Sequence, residues 1–149
     1  MSTLYDTDFY AWTQEQAALL REHAWGELDL DHVIEEMEGL GISDYRAMRS
    51  AVYQVLVHLL KWRYQPGRRG RRWQSSLVEH RNRLELGLTA TLTQALPEMV
   101  RTAYPGARRK ASAQTELPLS TFPERCPWTV TQILDHDFYP DAAPQEEGR

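Results

Sequence analysis

The sequence predicts an all-α protein, a compact bundle of about five or six helices with the third, over about residues 44–65, at its centre. Three observations carry this expectation. Apolar residues recur at spacings of three and four along most of the chain, and no segment shows the strict alternation of a half-buried strand. Turn-forming pairs such as Pro66-Gly67 and Pro105-Gly106 punctuate the periodic stretches. The chain has 149 residues, 42% of them hydrophobic, and one of that length buries roughly 68–70% of its unfolded surface. A core therefore forms without staples, and the single Cys126 excludes an internal disulfide scaffold.

The elements follow in order. A first helix is expected to start after Asp6 and run to about His23, with Asp6 and Asp8 at the positive end of its dipole and Phe9, Trp12, Gln16, Leu19 and Leu20 facing inward. Gly26 lies in the break after it. A second begins near Asp29 and ends at Gly39 or Gly41, with Leu30, Val33, Met37 and Leu40 on its apolar side. The third starts at the N-cap Ser43 and stops at Pro66-Gly67. Its Tyr45, Met48, Val52, Val55, Leu59 and Trp62 form one stripe, while Tyr53, Val57, Leu60 and Tyr64 lie nearly opposite. A helix apolar on two sides must be covered on two sides, hence its central place.

After the basic loop 66–72 a fourth helix starts between Arg72 and Ser76, with Leu77, Leu84 and Leu88 inward. A fifth covers about Leu92 to Tyr104, with Pro97 either kinking it or sitting in its first turn. Pro105-Gly106 is expected to break the chain before a helical stretch from Ala107 to Thr115. Residues 117–128, with Pro118, Pro123 and Pro127, read as an extended surface strap, and Thr129 caps a last helix to about Asp135. The organisation is a single helical domain over 1–139 with a tail, 140–149, of disordered composition. No basic and apolar leader opens the chain, and no apolar run is long enough to span a bilayer, so the expectation is a soluble intracellular protein without a membrane partner.

The net charge of −4 conceals a segregation. Residues 1–44 carry eleven acidic residues and one basic, Arg21, while 45–125 carry fifteen basic and five acidic, and 126–149 carry five acidic and one basic. Either the oppositely charged segments pair, or the basic one has an external anionic partner.

Several segments taken together resemble a known family. They are Leu4-Tyr5-Asp6-Thr7-Asp8-Phe9-Tyr10-Ala11-Trp12, then Trp25-Gly26-Glu27-Leu28-Asp29 leading into Ile34-Glu35-Glu36-Met37-Glu38-Gly39-Leu40-Gly41. To these are added His58-Leu59-Leu60-Lys61-Trp62-Arg63-Tyr64-Gln65-Pro66 and a late Cys126-Pro127. The set is similar to the bacterial domain-of-unknown-function family 29, over about Leu4 to Pro140. The resemblance implies an all-helical fold and a cytoplasmic bacterial protein; it supplies no activity and no catalytic residues. The Pro105-Gly106 pair departs from the family pattern, in which a helix continues through that position.

Three constellations are candidates for chemistry. Gln54, His58, Lys61 and Gln65 are spaced four, three and four apart, one narrow sector of a helix. Shielded, they form either a general base with a charge stabiliser or a paired polar seam between helices. Glu35, Glu36 and Glu38 crowd the negative end of a predicted short helix, an arrangement that asks for a nearby cation. No His follows a Glu by three residues, so the di-iron bundle motif is absent, and no metal or other cofactor is expected. The third constellation is the arginine–aromatic patch Arg63, Arg68, Arg69, Arg71, Arg72 and Trp73, whose planar guanidinium groups suit phosphate or carboxylate.

The functional expectation is a binding module whose loop 66–72 meets an acidic partner, nucleic acid or an acidic protein surface. The alternative is a hydrolase or nuclease-like enzyme built from Glu35, Glu38, His58 and Lys61. Nothing in the sequence predicts an oligomer.

Overall fold

The computed structural model describes residues 3–141 and is all-helical, with no strand among them. The helices are α1 (Leu4–Thr7), α2 (Phe9–Arg21), α3 (Leu30–Tyr64), α4 (Arg71–Gly87), α5 (Ala90–Gln94), α6 (Leu96–Thr115) and α7 (Val130–Leu134). The contacts divide the chain into two compact units, Met1–Asp44 and Tyr45–Arg149. The division falls where the charge changes sign: the first unit holds the eleven acidic residues and Arg21.

The first unit is built on a few polar anchors. Asp8 accepts from the Ala11 amide and so starts α2 after the short α1. His23, at a left-handed φ of 57°, ends α2 in place of a glycine. Trp12 and Gln16 are its only buried residues, and both reach Asp29: the Trp12 indole donates to the carboxylate at 3.0 Å, and Gln16 accepts the Asp29 amide at 2.8 Å. The Asp29 carboxylate also bonds His32 Nδ1 at 2.7 Å, and the His32 ring stacks on Tyr5 at 3.9 Å. Tyr5 in turn donates its hydroxyl to Glu36.

The second unit contains the hydrophobic core. Its part of α3 buries Met48, Ala51, Val52, Val55, Leu56, Val57, Leu59 and Leu60, which surround more than half of the helix, as the two apolar series require. Leu77 and Leu84 of α4 and Leu96, Met99, Ala103, Tyr104, Ala107 and Ala111 of α6 complete the core. At the end of α4 the Met48 side chain occupies the space a Cβ on Gly87 would need. Phe122, Trp128 and Ile133 enter the core from the segment after α6.

Two expected helix breaks are corrected. Helices were expected to meet at Gly39 to Ser43, yet α3 runs unbroken from Leu30 to Tyr64. No glycine among the described residues has a positive φ, so neither Gly39 nor Gly41 adopts the left-handed stop, and each merely costs about 1 kcal/mol relative to Ala. The break at Pro105-Gly106 is also absent: α6 carries Pro105 in its interior. The lost amide and the ring clash cost about 3 kcal/mol, but the buried Ala103, Tyr104, Ala107 and Ala111 lie on both sides of the proline and hold one helix together. Pro97 sits in the first turn of α6, where its missing N–H is harmless.

The strap at 117–128 is not merely superficial. Unpaired carbonyls need donors, and α6 supplies them: Tyr104 Oη donates to Pro123 O at 2.5 Å, Arg108 Nε to Phe122 O at 3.0 Å and Ser112 Oγ to Leu117 O at 2.7 Å. Thr129 caps α7 as expected, in a reciprocal box with Gln132. Pro140 is buried, and its carbonyl accepts from Arg69, so the fold includes the first residue of the expected tail. The rest of that tail, from Ala142 on, lies outside the described residues.

Candidate functional site

The turn Pro66–Arg68 joins the end of α3 to the start of α4. There Lys61, Gln65, Arg68, Gly70, Arg72, Trp73 and, from α6, Gln114 line a groove of about 290 Å³. Among the described residues that line it three are cations and none is a carboxylate. Arg68 and Arg72 are exposed, whereas Lys61 is half-buried. Lys61 Nζ donates to Gln114 Oε1 at 3.0 Å and lies 5.0 Å over the Trp73 ring. Burial, and then the charge of Lys110, lowers the Lys61 pKa. Gln65 donates to the Thr115 carbonyl at 3.3 Å.

The six patch residues separate into distinct roles. Arg68, Arg72 and Trp73 meet in the groove, and Arg71 is exposed at the first position of α4. Arg69 turns inward: it donates to Trp62 O at 2.7 Å and to Pro140 O at 3.2 Å, with its guanidinium 5.0 Å from the Trp62 ring. Arg63 is half-buried beside Tyr64, its Nε without a partner. Arg81, which follows the patch in sequence, is a core residue, 1% exposed.

The polar strip on α3 is largely satisfied. His58 Nδ1 faces the Gln54 carbonyl at 2.8 Å, and that acceptor requires the N–H on Nδ1. Burial lowers the His58 pKa despite that bond, with smaller contributions from Lys61 and the neighbouring His80, whose ring centroid is 6.5 Å away. With Lys61 and Gln65 both bonded to α6, the strip has the pairing of a polar seam. Glu35 and Glu38 are exposed residues of the first unit. The four residues of the enzyme alternative are thus divided between the units, and neither unit holds the set. Among the described residues no three His, Cys, Asp or Glu side chains form a group able to hold a metal.

A family model for a domain of unknown function, DUF29, matches residues 4–139. The chain belongs to that family. No curated protein and no solved structure matches it. The family's span covers most of both units and every patch residue, so the groove lies within the matched domain. No helix among the described residues is long and apolar enough to cross a membrane.

Two basic features were not legible in advance. Arg46, Arg49 and Ser50 of α3 face Thr102 and Arg109 of α6 across a second cleft, of about 360 Å³. The spacing of Arg46 and Arg49 is visible in the sequence, but their approach to Arg109 depends on helix packing. Arg81 shows no local signal at all, because its acceptors, Ile133 and Gln132, lie 52 and 51 residues away. Burial raises the Cys126 pKa, and its thiol donates to Trp128 O at 3.5 Å.

Proposed function

We propose that this chain is a helical binding module whose groove between α3, α4 and α6 receives carboxylates of an acidic protein partner. The observation that carries this reading is the convergence of Lys61, Arg68 and Arg72 on one groove with no carboxylate in its lining among the described residues. A lone acidic side chain entering it gains charge-assisted hydrogen bonds from planar guanidinium groups. The aromatic faces that base stacking would use are already engaged, Trp73 by Lys61 and Trp62 by Arg69 and Tyr139. That favours a protein surface over nucleic acid, whose single strands draw much of their affinity from stacking. The hydrolase alternative has less support, because its Glu35 and Glu38 are exposed to solvent.

Anisotropy of a labelled hexaglutamate peptide, measured over a salt series, tests the proposal. The expected result is binding that weakens with salt and falls at least about tenfold in the Arg68→Ala/Arg72→Ala double variant, the loss of two charge-assisted contacts. Equal binding by the double variant would overturn it. Salt-dependent binding of labelled single-stranded DNA or RNA, with none of the peptide, would replace the protein partner by nucleic acid.

A further inference from the structure

The cleft between α3 and α6 lies wholly within the second unit, holds about 360 Å³ and has Arg46, Arg49, Ser50, Tyr53, Gly106 and Arg109 in its lining. It shares no lining residue with the groove of Lys61, Arg68 and Arg72. We propose that the cleft binds a small phosphate monoester, its phosphate dianion on the three arginines and its organic group against Tyr53.

Three cations meet there without a counter-charge. Arg46, Arg49 and Arg109 are all exposed, so their guanidinium groups are open to a ligand entering the cleft. Among the described residues none of the three forms an ion pair, and no carboxylate lines the cleft. Arg46 and Arg49 are one turn apart on α3, where like charges repel, and α6 brings Arg109 to the same cleft. Arg49 reaches toward α6 on a long bond, Nη2 donating to the Thr102 carbonyl at 3.4 Å, beyond the usual range for N–H to oxygen. An oxyanion exchanges that weak bond for charge-assisted ones and relieves the repulsion.

Charge selects the ligand. A phosphate monoester carries close to two negative charges at neutral pH and three acceptor oxygens, which suits three planar guanidinium groups. A carboxylate offers one charge, and a nucleic-acid strand spreads its charge at one per phosphate. The rest of the lining admits an organic group. Gly106 has no side chain, and a Cβ placed on it would lie 3.5 Å from the half-buried Tyr53 ring. The missing side chain leaves that edge of the ring open to the ligand.

Calorimetry of the full chain with phenyl phosphate, at about pH 8 so that the ester is a dianion and at constant ionic strength, tests the site. Phenyl phosphate should bind at least about tenfold tighter than benzoate, which lacks the second charge. It should bind roughly threefold tighter than inorganic phosphate, through the aromatic contact with Tyr53. Arg49→Gln and Arg109→Gln, both at exposed positions, should keep the Tm of the unliganded chain and weaken both phosphates about tenfold each. Gly106→Leu favours the helix and covers Tyr53, so it should remove only the advantage of phenyl phosphate over inorganic phosphate. The Arg68→Ala/Arg72→Ala variant should bind phenyl phosphate as the full chain does, which separates this site from the fate of the groove. Loss of binding in that variant would assign the phosphate to the groove and overturn the proposal. So would the absence of saturable binding, equal affinity for benzoate, or unchanged binding in both arginine variants. Equal affinity for phenyl and inorganic phosphate would replace the monoester by the free ion. Displacement of phenyl phosphate by a short single-stranded oligonucleotide without terminal phosphates, at lower concentration, would replace it by nucleic acid.

Discussion

The two units invert each other's balance of burial and charge. The acidic first unit buries only Trp12 and Gln16 among its described residues, yet it displays ten large apolar side chains, including Met37 and Leu40 at 65% and 70% exposure. Among its described residues the second unit buries twenty hydrophobic ones and exposes three large ones, Val78, Leu86 and Leu119. Cohesion in the first rests on Asp29 and its bonds to Trp12, Gln16 and His32, whereas in the second it rests on packed aliphatic side chains. The polar groups also differ in their use. The first unit's bonds among side chains gather on acids, while arginines of the second mostly serve backbone carbonyls, as Arg69, Arg81 and Arg108 do. Within either unit, charge of one sign has been assigned to neutral or aromatic partners more often than to opposite charge.

The largest expected effect separates the cores. Leu84→Ala, at a fully buried position, should cost about 2–5 kcal/mol in chemical denaturation. Leu40→Ala, in the first unit, should stay within about 0.5 kcal/mol. A comparable loss at Leu40 would show that its face is covered in solution, and the contrast between the units would fail.

A smaller effect, of opposite sign in the two units, is expected from acid. His32 has its pKa raised by the bond to Asp29, so the folded first unit holds that proton more tightly than the unfolded chain. Its contribution is complete below the ordinary histidine value of about 6.5 and is lost as pH rises through the raised value. His58 and His80 are lowered by burial, so their neutral forms cost nothing above that value and destabilise the second unit as pH falls below it. Hydrogen exchange followed from about pH 8 to about pH 5.5, corrected for intrinsic rates, should show protection growing in 4–38 and declining in 51–84. A common direction in both segments would break the assignment. The bond to Glu36 raises the Tyr5 pKa to about 12, so the phenol stays protonated and a donor throughout this range.

The smallest expected effect concerns α3. Gly39→Ala and Gly41→Ala meet no neighbouring atom and sit in a continuous helix, so each should stabilise by about 0.5–1 kcal/mol. A loss of stability would show that the helix needs glycine there, as a true boundary would.

These contrasts show which features local chemistry could announce. The two apolar series of residues 45–64, the Thr129 cap and the polar strip at His58 and Lys61 all follow from spacing on a single helix, and the structure keeps each of them. The joining of Arg68, Arg72 and Trp73 with Lys61 was half legible: the cluster was visible, but the inward turn of Arg69 depends on carbonyls at Trp62 and Pro140. Arg81 carried no signal for the same reason, because a donor's direction is set by where distant carbonyls need it.

By itself, therefore, the sequence determined the helical class, the segregation of acid from base at residue 44, the core stripe of α3 and the family. Tertiary structure decided whether glycine and proline interrupt a helix, which arginines leave the surface, and where cavities form. The reason is one of magnitude. A helix-interior glycine or proline opposes the helix by about 1 or 3 kcal/mol, whereas each fully buried leucine or valine contributes about 1.5–3 kcal/mol. Leu96, Met99, Val100 and Tyr104 precede Pro105 and Ala107 and Ala111 follow it, all buried, and the sum of their burial outweighs the local penalty.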